Sequence, residues 1–387
     1  MSKKWPIVRL GEVLAYRKEF ITINDLRAYE RPRVQLHVKG IVLRDRVPGA
    51  LIKTKTQQVC RSGEFLVAEI DAKVGGFGIV PESLDGSIVS SHYFLFVLNE
   101  SKIDRRFLDF FIRTPAFREQ VAAQGSTNYA AIRPSHVLGY EVPLPLPSEQ
   151  RRIVARIEEL ATHIGEARTL REKAVGEAEN LVTSARAKAF EPKPGWASML
   201  ITDFCESPQY GYTESASQIP IGPRFLRITD IQDGRVDWKR VPFCRCPDPT
   251  KYLLKADDLV FARTGATTGK SFVIRDCPEA VFASYLIRLR VRHTVSVDYL
   301  YQYFQSPSYW GQIADEKKGT GQPNLNGSKL EKLKIPIAPP HEQARIIDEL
   351  DALQAEVDAL KRLQGETSRE LDALMPSILD KAFKGEL

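Results

Sequence analysis

The chain has 387 residues, of which 43% are hydrophobic and 27% charged, and its formal net charge is +6. This length exceeds what one ordinary hydrophobic core organises, so we expect a folded protein of two or more domains. The apolar runs are too short for a secretory signal at the N-terminus or for a membrane span, which needs about 18 apolar residues. Five scattered cysteines are typical of reduced thiols, and we therefore expect a cytoplasmic protein.

The first and third predicted elements, residues 1–145 and 196–337, are expected to be compact α+β domains. They mix short β-rich runs, such as "SFVIRD" in the third element, with helical stretches such as "DRRFLDFFIRTPAFREQVAAQG" in the first. Both are basic: the first has 21 Lys and Arg against 15 Asp and Glu, and the third has 19 against 15. Basic domains are candidates for binding a polyanion such as nucleic acid.

The second and fourth predicted elements, residues 146–195 and 338–387, are expected to be long helices. Each begins in a proline-rich segment, "PLPLPSEQ" or "PIAPPHEQ", where proline ends the preceding strand. Their apolar positions alternate spacings of four and three, which indicates a coiled coil. The first seam comprises Ile153, Ile157, Leu160, Ile164, Ala167, Arg171, Ala174, Ala178, Leu181 and Ala185. The second comprises Ile346, Leu350, Leu353, Val357, Leu360, Gln364, Thr367, Leu371, Leu374 and Ile378. Two helical hairpins that do not contact each other are the alternative.

The chain contains an internal duplication. The stretch "VPLPLPSEQRRIVARIEEL" at 142–160 returns as "IPIAPPHEQARIIDELDAL" at 335–353, half a chain length later. The domains match more loosely, as "GEFLVAEIDAKVGG" from position 63 parallels "DDLVFARTGATTGK" from position 257. Each half is therefore predicted to be one domain followed by one helix.

The stretch "ARTGATTGKSF" at 262–272 ends in Gly-Lys-Ser and raises the possibility of a phosphate-binding P-loop, and so of an NTPase. A P-loop has four residues between its first glycine and the Gly-Lys-Ser, whereas three residues separate Gly265 from Gly269. In the duplicate stretch, Gly76 and Phe77 replace Lys270 and Ser271. The shared element is therefore predicted to be a strand followed by a glycine turn.

Three residues interrupt the helical pattern. Arg171 and Gln364 are the polar positions of their seams and occupy the same repeat position near the middle of each helix. In an antiparallel pair the middles of the helices meet, so these two side chains are predicted to lie together. Pro376 removes a helical hydrogen bond and predicts a kink, or a separate short helix over 377–383.

The duplicated proline-rich segments with Glu149-Gln150 and Glu342-Gln343, the long apolar helices and the closing "DKAFKGEL" resemble the specificity subunit of type I restriction-modification systems. The resemblance covers the whole chain. It implies target-recognition domains at 1–145 and 196–337, separated by helical regions at 146–195 and 338–387. It further implies that the helices pair antiparallel with pseudo-twofold symmetry and place the two domains on separate parts of one DNA site.

The same resemblance implies the partners of the chain: double-stranded DNA, two adenine methyltransferase subunits carrying S-adenosylmethionine and, for cleavage, two ATP-driven motor-nuclease subunits. No cofactor is expected in this chain itself. A second interpretation keeps the recognition role but changes the partner, as in the separate specificity chain of a fused nuclease-methyltransferase (type II) system. A purely structural coiled-coil spacer is a third interpretation.

Motifs for catalysis are not found, so the chain is predicted not to be an enzyme. It has no Asn-Pro-Pro-aromatic or Asp-Pro-Pro-aromatic sequence of an amino-methyltransferase and no glycine-rich cofactor loop after a first strand. Glu316-Lys317-Lys318 is formally a nuclease fragment, but no Pro-Asp partner lies near it in the sequence. Cys244 and Cys246 form a lone C-x-C pair, so no metal site is predicted.

DNA contacts are predicted on polar loops, several of them glycine-containing, because bases are read by side chains that reach their edges while basic and hydroxyl groups bind phosphates. In the first domain the candidates are Lys39, Arg44, Lys53, Lys55, Lys73, Ser91, His92, Ser126, Thr127, Asn128 and Tyr129. In the second they are Gln209, Tyr210, Tyr212, Thr213, Arg263, Thr264, Thr267, Thr268, Lys270, Lys317, Lys318, Thr320, Gln322 and Asn324. The alternative for each loop is a solvated surface turn. Tyr93 and Tyr285 lie in β-rich runs and are predicted to be core residues.

Overall fold

The computed structural model describes residues 5–123, 131–232, 234–292, 295–315 and 324–387. The chain divides into two compact units, Met1–Leu170 with Gly365–Leu387, and Arg171–Gln364. We call them unit 1 and unit 2. Each unit contains one globular part and a segment of both long helices. The domain boundaries predicted from the sequence follow repeats and composition, and they remain predictions.

The globular part of unit 1 mixes strands and short helices. Its strands are β1 (Ile7–Arg9), β2 (Leu14–Arg17), β3 (Phe20–Thr22), β4 (Ala28–Gln35), β5 (Gly40–Pro48), β6 (Thr56–Val59), β7 (Phe65–Ala68), β8 (Phe77–Ile79), β9 (Ile88–Val89), β10 (Tyr93–Leu98) and β11 (Glu141–Pro143). Its helices are α1 (Arg105–Phe111), α2 (Pro115–Ala123) and α3 (Pro134–Gly139). The central antiparallel sheet has the order β2-β10-β7-β8, and β3-β6-β9 form a second sheet.

The long helix α4 (Pro147–Ala189) follows unit 1's globular part, and unit 2's globular part comes after it. The next strands are β12 (Ala197–Leu200), β13 (Gln209–Tyr210), β14 (Arg224–Leu226), β15 (Ile231–Gln232), β16 (Arg235–Val236), β17 (Leu259–Ala262), β18 (Ser271–Val273), β19 (Ala280–Phe282), β20 (Leu286–Leu289) and β21 (Lys334–Ile337). The helices are α5 (Ile201–Phe204), α6 (Val297–Phe304), α7 (Pro307–Asp315), α8 (Gly327–Glu331) and the second long helix α9 (Pro340–Phe383). Among the described helices, none is long and apolar enough to cross a bilayer.

The two units repeat the same arrangement, as the duplication predicts. The central sheet of unit 2 has the order β13-β20-β17-β18, which matches β2-β10-β7-β8 of unit 1 strand for strand. The pair β12-β21 matches β1-β11 at the ends of each globular part. The α+β class is therefore confirmed. Unit 1 has in addition the long hairpin β4-β5.

Each core is closed by an aromatic residue from the end of a long helix. Phe190, at 1% exposure, lies with its ring centroid 5.2 Å from Tyr299 and 5.3 Å from Tyr303 in unit 2. Its duplicate Phe383 lies 4.9 Å from Phe107 in unit 1. The helix ends are thus part of the cores rather than free spacers.

The duplicated glutamine of the proline-rich segment attaches the start of each long helix to its globular part. The buried Gln150 accepts a hydrogen bond at Oε1 from the Asp104 N–H at 2.7 Å and donates from Nε2 to the carbonyls of Lys102 and Pro145. Gln343 makes the corresponding contact in unit 2, accepting from the Ser296 N–H at 3.1 Å. A buried amide satisfied on both sides holds the helix start in one position.

The two long helices are antiparallel within each unit. In unit 2, Lys361 contacts Glu179 at 2.6 Å while Arg186 donates to Gln354 at 3.1 Å, so one helix descends in number as the other ascends. In unit 1 the ion pair Arg168–Asp372 follows the same direction. The predicted coiled-coil pairing is confirmed in this form. The alternative of two hairpins that do not contact each other is wrong.

The buried seam departs from the strict heptad near the C-terminal end of each helix. Leu181 is 57% exposed and Val182 is buried instead, while in α9 Leu374 is 43% exposed and Leu379 is buried. An α-helix drifts by about 20° per heptad from a 3.5-residue repeat, so the position facing the partner advances by one residue. The exposed leucines, Leu181 and Leu374, are duplicate positions, whereas Leu379 is buried in the core of unit 1.

The helix α9 continues through Pro376 to Phe383, so the prediction of a separate short helix after the proline is wrong. Leu379 and Ala382 lie in the last turns and are buried in the core of unit 1. This packing stabilises the helix beyond the position where Pro376 cannot donate a hydrogen bond.

The predicted contact between the two polar seam residues is confirmed in unit 2. Arg171 Nε donates to Gln364 Oε1 at 2.8 Å, and its Nη2 donates to the Gln364 carbonyl oxygen at 2.5 Å. One side chain therefore bonds both the side chain and the main chain of the opposite helix. Such a polar layer favours one register of the helices over its neighbours.

Replacing both Arg171 and Gln364 by leucine is expected to raise the free energy of unfolding by about 1 kcal/mol, because apolar contact replaces hydrogen bonds of modest net value. Thermal unfolding followed by circular dichroism measures this. The single Arg171→Leu variant is the control and should be less stable than the double variant, because it leaves the Gln364 amide without its partner. A double variant less stable than the parent chain would contradict this account of the layer.

Candidate nucleic-acid interface

The Gly-Lys-Ser stretch forms a β-hairpin. The strands β17 and β18 pair antiparallel, with Phe261 opposite Ser271, and the intervening turn closes by a hydrogen bond from the Ala262 N–H to the Lys270 carbonyl at 2.8 Å. In unit 1, β7 and β8 form the same hairpin. A P-loop needs a helix after the Gly-Lys-Ser, whereas Ser271 begins a strand. The prediction of a strand and a glycine turn is confirmed, and this stretch gives no ground for an NTPase.

Several predicted residues of unit 2 come together beside this hairpin. The Arg263 guanidinium lies 5.0 Å from the centre of the Tyr210 ring, and Tyr210 Oη accepts a hydrogen bond from the Gly327 N–H at 2.8 Å. Thr264 forms a β-bridge with Asn324, which brings a third chain segment to the same place. Together these contacts build a polar surface with an aromatic centre from segments far apart in the sequence.

The remaining candidates in the turn and on the neighbouring strand differ in their exposure. Lys270 and Thr213 are exposed, and Thr267 is half-buried. Thr268 is 5% exposed and its hydroxyl donates to the Gly265 carbonyl at 2.7 Å, so this side chain stabilises the turn itself. Gln209 donates to the Lys251 carbonyl at 2.7 Å and is half-buried.

Two side chains next to these residues have shifted pKa values. Gln209 Oε1 accepts a hydrogen bond from Arg288, a buried arginine that pairs with Asp258. Burial lowers the pKa of Arg288, an effect that Asp258 opposes. The half-buried Tyr212 packs against the Tyr252 ring at 5.2 Å, and desolvation raises the pKa of its hydroxyl. Both groups therefore have structural contacts within unit 2.

In unit 1 the tip of the β4-β5 hairpin docks on the turn after β7. The N–H groups of His37 and Val38 donate to the carbonyls of Val74 and Gly75 at 2.7 and 3.0 Å. The exposed Lys39 lies at this tip, and the half-buried Lys73 lies in the turn that receives it. Two of the predicted lysines are therefore placed on neighbouring segments.

A cleft of about 380 Å³ in unit 1 gathers other predicted residues. The predicted residues Arg44 and Lys53 line it, together with Arg31, Ser90 and Tyr93. Arg44 lies 3.3 Å from Asp45, so its charge is partly compensated. The concave, basic surface suits a phosphate or a base edge.

Two further candidates of unit 1 have protein partners at the surface. Lys55 pairs with Asp25 and donates to the Gly49 carbonyl at 2.9 Å. His92, which follows the exposed Ser91, donates from Nδ1 to the carboxylate of Glu69 at 2.7 Å. These contacts orient the Lys55 and His92 side chains and leave them at the surface.

Eight predicted residues lie outside the described residues. They are Ser126, Thr127, Asn128 and Tyr129 in the first domain, and Lys317, Lys318, Thr320 and Gln322 in the second. Their role in DNA contact stays a prediction, as it does for the described candidates.

Sequence reasoning missed two residues that lie beside these candidates, Glu69 and Tyr285. The prediction that Tyr285 belongs to the core is wrong, because its side chain is 62% exposed. Tyr93 is half-buried against a core cluster of unit 1. Strand alternation and the duplication would have given the signal, since the backbone contacts of the hairpins place Tyr285 in the position that His92 occupies in unit 1.

Within the described residues, no three His, Cys, Asp or Glu side chains lie close enough together to hold a metal ion. Cys244 is buried, and burial raises the pKa of its thiol to about 11. Because a metal binds the thiolate, this environment disfavours metal ligation by Cys244. Cys244 is instead a packed core residue.

Each unit combines an α+β globular part with antiparallel segments of the two long helices, and each has basic and polar loops beside its central sheet. The family model described as "Type I restriction modification DNA specificity domain" matches residues 246–366. The chain is 22% identical over 309 residues to the type I restriction enzyme EcoKI specificity subunit of Escherichia coli K12, covering 74% of this chain and 67% of that protein. It is 21% identical over 321 residues to the StySPI specificity subunit of Salmonella potsdam, covering 74% of this chain and 66% of that protein.

Solved structures give the same result over the full length. The HsdS subunit from Thermoanaerobacter tengcongensis is 28% identical, with a TM-score of 0.66 over 99% of this chain and 97% of that chain. A second chain comes from a structure described as the "structural basis underlying complex assembly and conformational transition of the type I R-M system". It is 27% identical, with a TM-score of 0.76 over 99% of this chain and 98% of that chain. These similarities support the resemblance of the chain to specificity subunits of type I restriction-modification systems.

Proposed function

We propose that this chain is the non-catalytic DNA-recognition subunit of a type I restriction-modification complex. Each unit reads one part of a bipartite DNA target, and the paired helices set the spacing between the parts. The observation that carries the proposal is the duplication: two units with the same sheet order each present a polar, basic surface built from non-contiguous loops. The relatives named above are type I subunits, which favours this function over a fused type II system.

The helices supply surfaces for partner subunits. On the long helices, Leu170 and its duplicate Leu363 are 66% and 56% exposed, and the duplicates Leu181 and Leu374 are 57% and 43% exposed. Exposed leucines at duplicate positions suit docking of two copies of one partner, which we infer to be the adenine methyltransferase with its S-adenosylmethionine. ATP-driven motor-nuclease subunits would join this complex for cleavage. No cofactor is assigned to this chain.

The register of the helices enters the function through Arg171 and Gln364. Because the pair favours one register, it would hold the spacing that the complex demands between the two parts of the target. The double leucine variant is accordingly expected to discriminate less well between targets with the right and wrong spacer length.

Binding to duplex DNA is expected to fall steeply with salt, because Lys and Arg that contact phosphates release counterions. The logarithm of the association constant should decrease linearly with the logarithm of salt concentration, with a slope of about 0.9 for each phosphate neutralised. Fluorescence anisotropy of the full chain on labelled duplex measures the slope, and several contacts are expected. A salt-independent affinity, or equal affinity for an uncharged polymer, would rule out this mode of binding.

A further inference from the structure

One backbone position has the same environment in both units. It directly follows the central strand, β7 or β17, and is occupied by Glu69 in unit 1 and Arg263 in unit 2. The Glu69 N–H donates to the His92 carbonyl at 2.8 Å, and the Arg263 N–H donates to the Tyr285 carbonyl at 2.9 Å. The Glu69 carbonyl accepts a hydrogen bond at 2.9 Å from an N–H group just before α3. The Arg263 carbonyl accepts one at 2.8 Å from an N–H group just before α8. The main chain at this position is therefore held equally in both units, and only the side chain differs.

In unit 2 the position carries an oriented hydrogen-bond donor. The Arg263 guanidinium lies over the Tyr210 ring, and that ring is held in turn by the hydrogen bond from the Gly327 N–H to its hydroxyl. Within the described residues, Arg263 Nε is buried without a hydrogen-bond partner. A planar cation stacked on an aromatic ring keeps a fixed direction, and its donors match the O6 and N7 acceptors of guanine.

In unit 1 the same position carries an oriented hydrogen-bond acceptor. The Glu69 carboxylate accepts a hydrogen bond from His92 Nδ1 at 2.7 Å, and the side chains are 26% and 69% exposed. A carboxylate has only acceptors, so it suits the N4 amino group of cytosine, which is a donor. The histidine restricts the carboxylate to one orientation.

We propose that this equivalent position reads one base in each half of the target, and that the two units read opposite hydrogen-bonding character there. Arg263 selects a guanine, and Glu69 selects a cytosine. The proposal rests on the proposed function, since it assumes that each unit reads its own half. Tyr210 and His92 are positioning residues that hold the two reading groups in place.

The test uses the full chain co-expressed with its methyltransferase subunits, with the methylated motif determined by sequencing genomic DNA. Arg263→Met keeps an unbranched side chain on Tyr210 but removes the donors, and it should relax one guanine in one half of the motif and leave the other half unchanged. Glu69→Leu should relax one cytosine in the other half. In competition binding with duplexes altered at that single base pair, discrimination by the Arg263 variant should fall by roughly 5- to 150-fold, the range for one bidentate contact. Discrimination by the Glu69 variant should fall less, because a carboxylate contacts one amino group of cytosine.

Matched controls separate base reading from general binding. Lys270→Gln alters an exposed charge on the same hairpin and should weaken all duplexes alike while preserving the motif. Arg263→Lys and Glu69→Asp keep the charge, so both variants should retain the preferred base with reduced discrimination. If Arg263→Met or Glu69→Leu prevents folding, these conservative variants test the proposal. If both Arg263 variants discriminate for guanine as strongly as the parent chain, Arg263 does not select that base. If both Glu69 variants discriminate for cytosine as strongly as the parent chain, Glu69 does not select that base. Failure of the parent complex to mark any two-part motif would instead overturn the proposed function.

Discussion

Replacing Phe190 by alanine is expected to lower the free energy of unfolding of unit 2 by about 3–5 kcal/mol. The ring is 1% exposed and makes edge contacts with Tyr299 and Tyr303, so truncation removes buried area and leaves a cavity between α4 and α6. Those tyrosine hydroxyls donate to the carbonyls of Pro336 and Lys334 at 2.7 and 3.0 Å, which limits how far the rings can move to fill the space. Urea denaturation followed by fluorescence measures the loss.

The duplication provides the control variant. Phe383→Ala removes the equivalent ring in unit 1, where it is only half-buried, and we expect a smaller loss of about 2–3 kcal/mol. Of the four tryptophans, Trp196, Trp238 and Trp310 lie in unit 2 and Trp5 in unit 1, so fluorescence reports mainly on unit 2. Phe190→Ala should lower the urea midpoint measured by fluorescence. The destabilisation caused by Phe383→Ala should be clearer when unfolding is followed by circular dichroism. A larger fluorescence shift for Phe383→Ala would contradict this assignment of the cores.

Exchanging residues 1–145 for the first domain of a relative is expected to replace one block of the DNA target completely and leave the second block and the spacer unchanged. Each unit has its own central sheet, its own core and its own polar surface, so each block should be read independently. Mismatched base pairs cost about 1–3 kcal/mol each, so a block of several pairs gives a change of many-fold in affinity. The methylated motif in genomic DNA is the measurement.

The junction for this exchange is favourable. The Gln150 side chain bonds main-chain groups of the globular part, those of Asp104, Lys102 and Pro145, and a different sequence can supply the same groups. The contact of Phe383 with Phe107 depends on side chains, so the incoming domain should keep an aromatic or aliphatic residue there. Exchange of 196–337 is the reciprocal control. Alteration of both blocks by a single exchange would show that the domains do not read independently.

The sequence by itself determined the features that repeat or are periodic. The duplication predicted two equivalent halves, and the heptads predicted two long helices, because helical periodicity is a local property of the chain. Combining the two placed Arg171 opposite Gln364, since an antiparallel pair of duplicates brings their midpoints together. The short spacing between Gly265 and Gly269 by itself departs from the P-loop pattern.

Only the tertiary structure decided which side chains share a surface. The duplicated stretches align Glu69 with Arg263, but only the hydrogen bonds between distant strands show that both residues have the same backbone contacts. Tyr285 lies in an apolar run, yet the pairing of β17 with β20 turns it outward. The drift of the seam by one residue at Val182 depends on helix geometry accumulated over many turns. Local patterns specify elements, whereas exposure and proximity depend on how the elements pack, which is a property of the whole fold.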